Sequence, residues 1–363
     1  EGSRGCWYDK RHIKSGSACK FCNLSSTWSG YRQKSFEKQA SEISQLSIKY
    51  NVRKIFFTDA AMQPKKINEQ FRLLKEKVSP EIVFFVELRA NLKEEHVINM
   101  KNGKLDHCQI GIEALDKGSL MKMNKGVTPM QNIYSMKLLE KYNIPNASNL
   151  ILGFPYTEPK DYEELYVTLD YVKSYFPLQV VEFSMLADSI VYEEIKKNSN
   201  YIDSNHQNFT NYLPTEINEK IFYVERAFEF NLNPDIKTKI IKKLRDWNDE
   251  YHVIKSKYNV EYILCLTNKG IIFDLRNRSI LKYKLNDEEF TLFKEIDKPT
   301  KIDALTSSFS ESLLNNFIKT MNENKLIFVQ DGWILGLPVF IKTSREELRN
   351  QYELIHGERI FIQ

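Results

Sequence analysis

Between residues 52 and 186, short runs rich in β-branched and aromatic residues alternate with longer amphipathic ones, which leaves few folds open to the chain. Five runs read as strands: Val52 to Thr58, Ile82 to Leu88, His107 to Leu115, Asn149 to Phe154 and Gln179 to Leu186. Between them apolar residues recur at helical spacing, as in Ile67, Phe71, Leu74 and Val78, or Tyr162, Leu165, Leu169, Val172 and Phe176. Thr128-Pro129 opens one helix as a cap followed by proline, and Gly103 is placed to end another. A helix between successive strands is the pattern of right-handed βαβ units on a parallel sheet. With a short strand added just before Cys6, the expectation is an α/β fold built on a partial (β/α)6 TIM-like barrel.

Ligands in such sheets bind at the C-terminal ends of the strands. Asp59, Glu87, Arg89, Glu113, Gly153 and Glu182 fall in or at the ends of the five strands and can share one rim. Taken singly, each also reads as an ordinary polar strand end. Three of the five cysteines, Cys6, Cys19 and Cys22, lie within the first 22 residues, and the last two form a CxxC pair. Three thiolates can hold three irons of a four-iron cluster and leave the fourth open; with His12 added they can close a Cys3His zinc site. Spacing alone leaves both open. The polar rim favours iron: a closed zinc site has no use for it, whereas a radical enzyme needs an open iron beside groups that hold a nucleoside and an amino acid. Cys108 and Cys265 lie in apolar runs and read as packed thiols rather than a disulfide.

Beyond Lys197 the pattern changes. Residues 198–255 read as an Asn-rich linker with helical segments at Glu216 to Phe230 and Ile236 to Tyr251. Residues 256–341 read as three short strands (Tyr262 to Cys265, Gly270 to Asp274, Ile280 to Tyr283), two helices, and a hairpin turning at Asp331-Gly332. That is the order of a small winged-helix-like α+β domain. Residues 342–363 form a charged tail, and 1–197 form the core. No run approaches the roughly 18 apolar residues of a spanning helix and no signal peptide is evident, so a cytoplasmic protein is expected. Lys+Arg of 52 against Asp+Glu of 48 are interleaved, which gives no basic face for nucleic acid.

The sequence resembles the radical S-adenosylmethionine superfamily, and within it the enzymes that mature ribosomally made peptides, many of them cobalamin-associated. The resemblance rests on Ser3-Arg-Gly-Cys-Trp-Tyr8, Cys19-Lys-Phe-Cys-Asn-Leu24, Tyr31-Arg-Gln-Lys-Ser35, Glu87-Leu-Arg-Ala-Asn-Leu92, Gln109-Ile-Gly-Ile-Glu113, Met123-Asn-Lys-Gly-Val-Thr128, Gln131-Asn132 and Asn149-Leu-Ile-Leu-Gly-Phe-Pro155. It implies that Cys6, Cys19 and Cys22 ligate a [4Fe-4S] cluster and that Phe21 sits beside the adenine of S-adenosylmethionine. Asp59 takes the place of a glycine-rich loop that accepts the methionyl amine. Glu113 and Lys125 match positions near S-adenosylmethionine, with Lys125 paired to its carboxylate and Arg89 a second candidate; Glu87, Gln109 and Asn149 complete the cofactor-binding set.

The implied reaction begins with an electron from a carrier such as flavodoxin or ferredoxin and ends with a deoxyadenosyl radical taking hydrogen from a precursor peptide. The C-terminal domain resembles elements that add a leader peptide as an extra strand. Two departures stand against the family pattern. Twelve residues separate Cys6 from Cys19, where the usual motif is CxxxCxxC, and no Asp-x-His-x-x-Gly cobalamin signature occurs. Cobalamin is therefore expected only through a domain upstream of Glu1. A radical enzyme, such as a methyltransferase, acting on a small molecule or tRNA, and a zinc-stabilised peptide-binding module, are the alternatives.

Overall fold

A computed structural model of the chain describes residues 1–24, 28, 30–197, 200–207, 212–218, 220–228 and 232–341; the tail at 342–363 lies outside the described residues. The chain opens with β1 (Ser3–Arg4) and β2 (Arg32–Gln33), which pair antiparallel. Helix α1 (Phe36–Tyr50) follows, with the Ser35 side chain accepting from the Lys38 N–H at its start. Then β3 (Lys54–Phe56), α2 (Pro64–Lys77), β4 (Val83–Arg89), α3 (Glu94–Asn102) and β5 (Leu105–Gly111) alternate, and the three strands pair in parallel in sequence order.

Helices α4 (Lys117–Lys122) and α5 (Pro129–Lys141) lead to β6 (Asn149–Leu152), α6 (Pro159–Thr168) and β7 (Gln179–Glu182). Strands β6 and β7 are parallel, and bridges from Cys108 to Asn146 and from Glu113 to Leu150 join them to the line of β5. All five expected strands therefore form one parallel array, an open partial barrel. The strand expected before Cys6 does form, as β1, but it pairs with β2 rather than with the barrel. Asp59, just past β3, accepts the Gly2 N–H at 2.7 Å and the Ser3 hydroxyl at 2.6 Å, and so holds β1 by its side.

Strand alternation decides which groups face the lumen. Phe84, Val86 and Leu88 of β4 are buried in the core with helical residues such as Phe71 and Val97. Their neighbours on the other face, Phe85 and Glu87, stand in register with His107 and Gln109 of β5.

After β7 come β8 (Met185–Leu186), α7 (Ile190–Lys196), α8 (Thr215–Asn218), β9 (Glu225–Arg226) and α9 (Pro234–Tyr258). Where two helical segments are expected over 216–251, the structure has a four-residue helix, a strand and one 25-residue helix. The buried Arg226 guanidinium, 2.7 Å from Asp203, draws its segment into pairing with β8 instead of a helix. Helix α9 buries one apolar stripe, Ile240, Leu244, Trp247, Tyr251 and Ile254.

The C-terminal part comprises β10 (Leu264–Thr267), β11 (Ile271–Asp274), β12 (Leu281–Lys284), α10 (Asp287–Glu295), β13 (Thr300–Lys301), α11 (Ile302–Leu305), α12 (Glu311–Glu323), β14 (Ile327–Gln330), β15 (Trp333–Gly336) and β16 (Val339–Ile341). The three expected strands form, with β16 added in parallel to β10 to give the order β12-β11-β10-β16, while β13, β15 and β14 make a second small sheet. One cluster of buried apolar side chains runs from Ala40 to Ile341 through both halves of the chain. Among the described residues no helix is long and apolar enough to cross a membrane.

A buried cation ties the halves together. Lys137 of α5, with its side chain 1% exposed, donates to Asp297 Oδ1 at 2.7 Å, to the Asp297 carbonyl at 3.0 Å and to the Gly336 carbonyl at 2.6 Å. Removing one member of a buried, hydrogen-bonded ion pair leaves the other without compensation, which costs roughly 3–5 kcal/mol. Asp297 also meets Lys141 at 3.3 Å, so the lower end applies. Lys137→Met is expected to lower the unfolding free energy by about 3 kcal/mol, measured by urea denaturation.

Candidate active site

The long loop between Cys6 and Cys19 folds back on itself. The Lys10 N–H donates to the Ser17 carbonyl at 2.7 Å, and inside that neck Ile13 and Lys14 N–H groups donate to the Lys10 carbonyl and Ser17 N–H to that of Lys14. The excursion thus leaves and returns at one point, and the extra residues add nothing to the distance between the two cysteines. From Cys19 to Cys22 the chain is clamped on both sides: the Lys20 N–H donates to Met123 O at 2.9 Å, and Lys20 O accepts from the Val191 N–H at 3.0 Å. Gly5, at φ +78°, passes so close to the Gly30 carbonyl that a Cβ would lie 2.0 Å from it.

The three cysteines are reduced; Cys19 is buried and the other two half-buried. Burial pushes the Cys22 thiol up to about 11, opposed by the Leu24 backbone N–H and reinforced by the charges of Cys19 and Cys6. Burial likewise raises Cys6, whose charge also feels Arg89 and Cys19. The sulfurs thus share one neighbourhood. Among the described residues, no three His, Cys, Asp or Glu groups converge as one metal ion requires, and His12 is exposed. A single zinc draws its ligand atoms to within about 2.0–2.3 Å of one point, while a four-iron cluster takes each thiolate on a different iron. A soft set of three thiolates has the donor chemistry that such a cluster takes.

Arg89, at the end of β4 and buried, reaches into this neighbourhood. Its Nη1 donates to Cys19 Sγ at 3.3 Å, its Nη2 donates to the Lys125 carbonyl, and its guanidinium lies 3.7 Å from the centre of the Tyr8 ring. Lys125 Nζ is 2.9 Å from Glu113 Oε1 and 5.4 Å from the centre of the Phe21 ring. Glu113 holds a left-handed backbone, φ 59°, an uncommon conformation for a non-glycine residue. It is fixed there by its N–H donating to Asn149 O at 3.1 Å and by its carbonyl accepting from Ile151 N–H at 2.8 Å. Gly111 leaves the room: a Cβ there would stand 2.6 Å from Lys125 Nζ.

Cys6, Cys19, Cys22, Phe21, Arg89, Glu113 and Lys125 are therefore linked by direct contacts or shared charge. Glu87 and Gln109 lie side by side on the lumen face; burial raises the Glu87 carboxyl, with the Glu113 charge adding to it. Asn149 takes part through its backbone. Asp59 is committed to Gly2 and Ser3, Gly153 donates its N–H to the Tyr162 hydroxyl, and Glu182 is exposed and paired with Lys237 at 2.6 Å.

Residues 3–169 match the model of the Radical SAM superfamily. That span is similar in sequence to a radical SAM catalytic domain. A 179-residue stretch is 28% identical to an uncharacterized methyltransferase of Pyrococcus horikoshii, covering 47% of this chain but 35% of that relative. Among solved structures, the cobalamin-dependent S-adenosylmethionine radical enzyme OxsB is 13% identical, with 89% of this chain and 49% of that one covered and a TM-score of 0.49. The radical S-adenosylmethionine methyltransferase TsrM from Kitasatospora setae is 13% identical over 53% of this chain and 37% of its own, with a TM-score of 0.45. The chain thus spans about half or less of the length of these relatives.

Sequence reading overlooked Tyr8 and Asn124 as parts of this site. Asn124, at φ 50°, donates its side-chain amide to Gly16 O at 3.1 Å and Ala18 O at 2.8 Å, and so fastens the returning limb of the long loop. The Tyr8 hydroxyl donates to Asn124 O at 3.2 Å, and Gly126, at φ +67°, has no room for a Cβ against that ring. Both residues lie in motifs that carried the family resemblance, which was the available signal. Asn124→Gly keeps the left-handed backbone but deletes both donors, a loss of about 1–2 kcal/mol in local stability. Trypsin cleavage after Lys10 and Lys14 is expected to quicken about tenfold, read by timed limited proteolysis.

Proposed function

We propose that Cys6, Cys19 and Cys22 hold a [4Fe-4S] cluster, that S-adenosylmethionine binds against Phe21, Lys125 and Arg89, and that the substrate is a small molecule. The observation that carries the reading is the contact of Arg89 with Cys19 Sγ on one side and the Lys125 carbonyl on the other, which joins the cysteine loop to the strand-end rim. When bound, such a cluster supplies the electron that splits the sulfonium of S-adenosylmethionine. Each residue has a part that its surroundings support. The Lys125 ammonium, held by Glu113, is the partner for the methionyl carboxylate, and the Phe21 ring offers an apolar face to the adenine. Arg89 adds a fixed positive charge beside the thiolates, and the lumen pair Glu87 and Gln109 offers polar contacts to the substrate. A methyl-transfer reaction draws support from the curated relative, which is named as a methyltransferase.

A peptide substrate is the second reading, and one observation favours it. Strand β12 is the outer strand of its sheet, with β11 its pairing partner among the described residues, so its free edge can accept an added strand. Slower hydrogen exchange at Leu281 to Lys284 on adding a precursor peptide would support it; unchanged exchange supports the small molecule.

Anaerobic reconstitution is expected to load about four irons and four sulfides per chain, and reduction in the presence of S-adenosylmethionine should release deoxyadenosine. Cys22→Ala should lose both. A preparation that binds one zinc and no iron would overturn the assignment.

A further inference from the structure

On the outer side of the cysteine loop lies an open cavity of about 700 Å3, walled by Trp7, Tyr8, Lys10, Lys14 and Lys65 and bordered by Asn91 and Asn124. Three lysines line it and no carboxylate does. All three are exposed, and none forms an ion pair among the described residues. The acid nearest in sequence, Asp9, is already bound by Arg11 at 2.7 Å, and Glu94 and Glu95 line the neighbouring cleft rather than this one. At the tip of the loop, Ile13 stands 74% exposed between Lys10 and Lys14. The face is basic, with one apolar tip.

The cavity is not built for a small anion. The backbone N–H groups of Lys10, Ile13, Lys14 and Ser17 all donate within the loop, and the Asn124 amide is taken by Gly16 and Ala18. The lysine charges are all on exposed, long side chains. What the face does offer is charge for a protein with an acidic surface, since complementary charges of this kind speed encounter and orient weak complexes.

Its inner wall leads directly to the cysteines. Tyr8 stacks on the Arg89 guanidinium at 3.7 Å, with Trp7 5.8 Å away, and Arg89 donates to Cys19 Sγ at 3.3 Å. Two packed contacts therefore separate the cavity wall from a thiol of the loop.

We propose that this lysine-lined face of the cysteine loop is the docking site for an acidic one-electron carrier protein. The proposal rests on the cluster reading of Cys6, Cys19 and Cys22. One electron passes from the reduced carrier to the cluster, so the carrier is oxidised and the cluster reduced by one electron, with no bond made or broken. The test uses the reconstituted protein and follows bleaching of its visible absorption, with either dithionite or reduced flavodoxin, an acidic one-electron carrier, as donor. The triple variant Lys10→Glu, Lys14→Glu, Lys65→Glu is expected to slow reduction by flavodoxin at least about tenfold while leaving reduction by dithionite unchanged. Raising the salt should slow the unsubstituted protein with flavodoxin only. Lys319→Glu, on the exposed face of α12, should change neither rate. Equal flavodoxin rates for the triple variant and the unsubstituted protein, in samples that dithionite reduces normally, overturn the docking site alone. A protein that binds no iron overturns the cluster reading as well.

Discussion

The buried guanidinium of Arg89 is the contact on which the arrangement of this site depends. A charge taken out of water needs compensation from every side, and here a cysteine sulfur, a backbone carbonyl and an aromatic face supply it. Two of those groups, Cys19 and Tyr8, come from the cysteine loop, and the third, the Lys125 carbonyl, from the turn before α5. Satisfying one cation therefore joins both segments to the C-terminal end of β4, where such folds bind ligands.

The same logic recurs at the other end of the molecule. Lys137 holds Asp297 and Gly336 against α5, while Glu140, one residue before Lys141, accepts from Tyr251 and Lys255 of α9. Burial raises the Glu140 carboxyl, and Lys255 and Tyr251 pull it back. One face of α5 thus carries the barrel, the long helix and the C-terminal sheets together.

Much of this was legible in the sequence. The five strands and most helices followed from period and caps, because a parallel sheet buried on its helical face must write its pattern into Phe84, Val86, Leu88, Cys108 and Ile110. The candidate residues Cys6, Cys19, Cys22, Phe21, Arg89, Glu113 and Lys125 were named by motif, and their gathering then depended on topology. What stayed hidden was set by long-range pairing. Arg226 becomes part of a strand because Asp203 is there to meet it, and Asp59 turns toward Gly2 and Ser3. No local pattern at residues 216–230 or near Asp59 encodes those partners. Tyr8 and Asn124 escaped for a similar reason: they lay in motifs already quoted, but their contacts, with Arg89 and with backbone carbonyls, are set by the fold.

The neck of the cysteine loop bears on how such sequences are measured. Because Lys10 and Ser17 meet, the residues between them form a side excursion, and the path that matters runs from Cys6 through the neck to Cys19. A count of residues between cysteines is then a property of the thread and not a length in space. The excursion is free to differ in size and charge without moving a sulfur, so one segment keeps a constant grip inside while its tip is open to change outside.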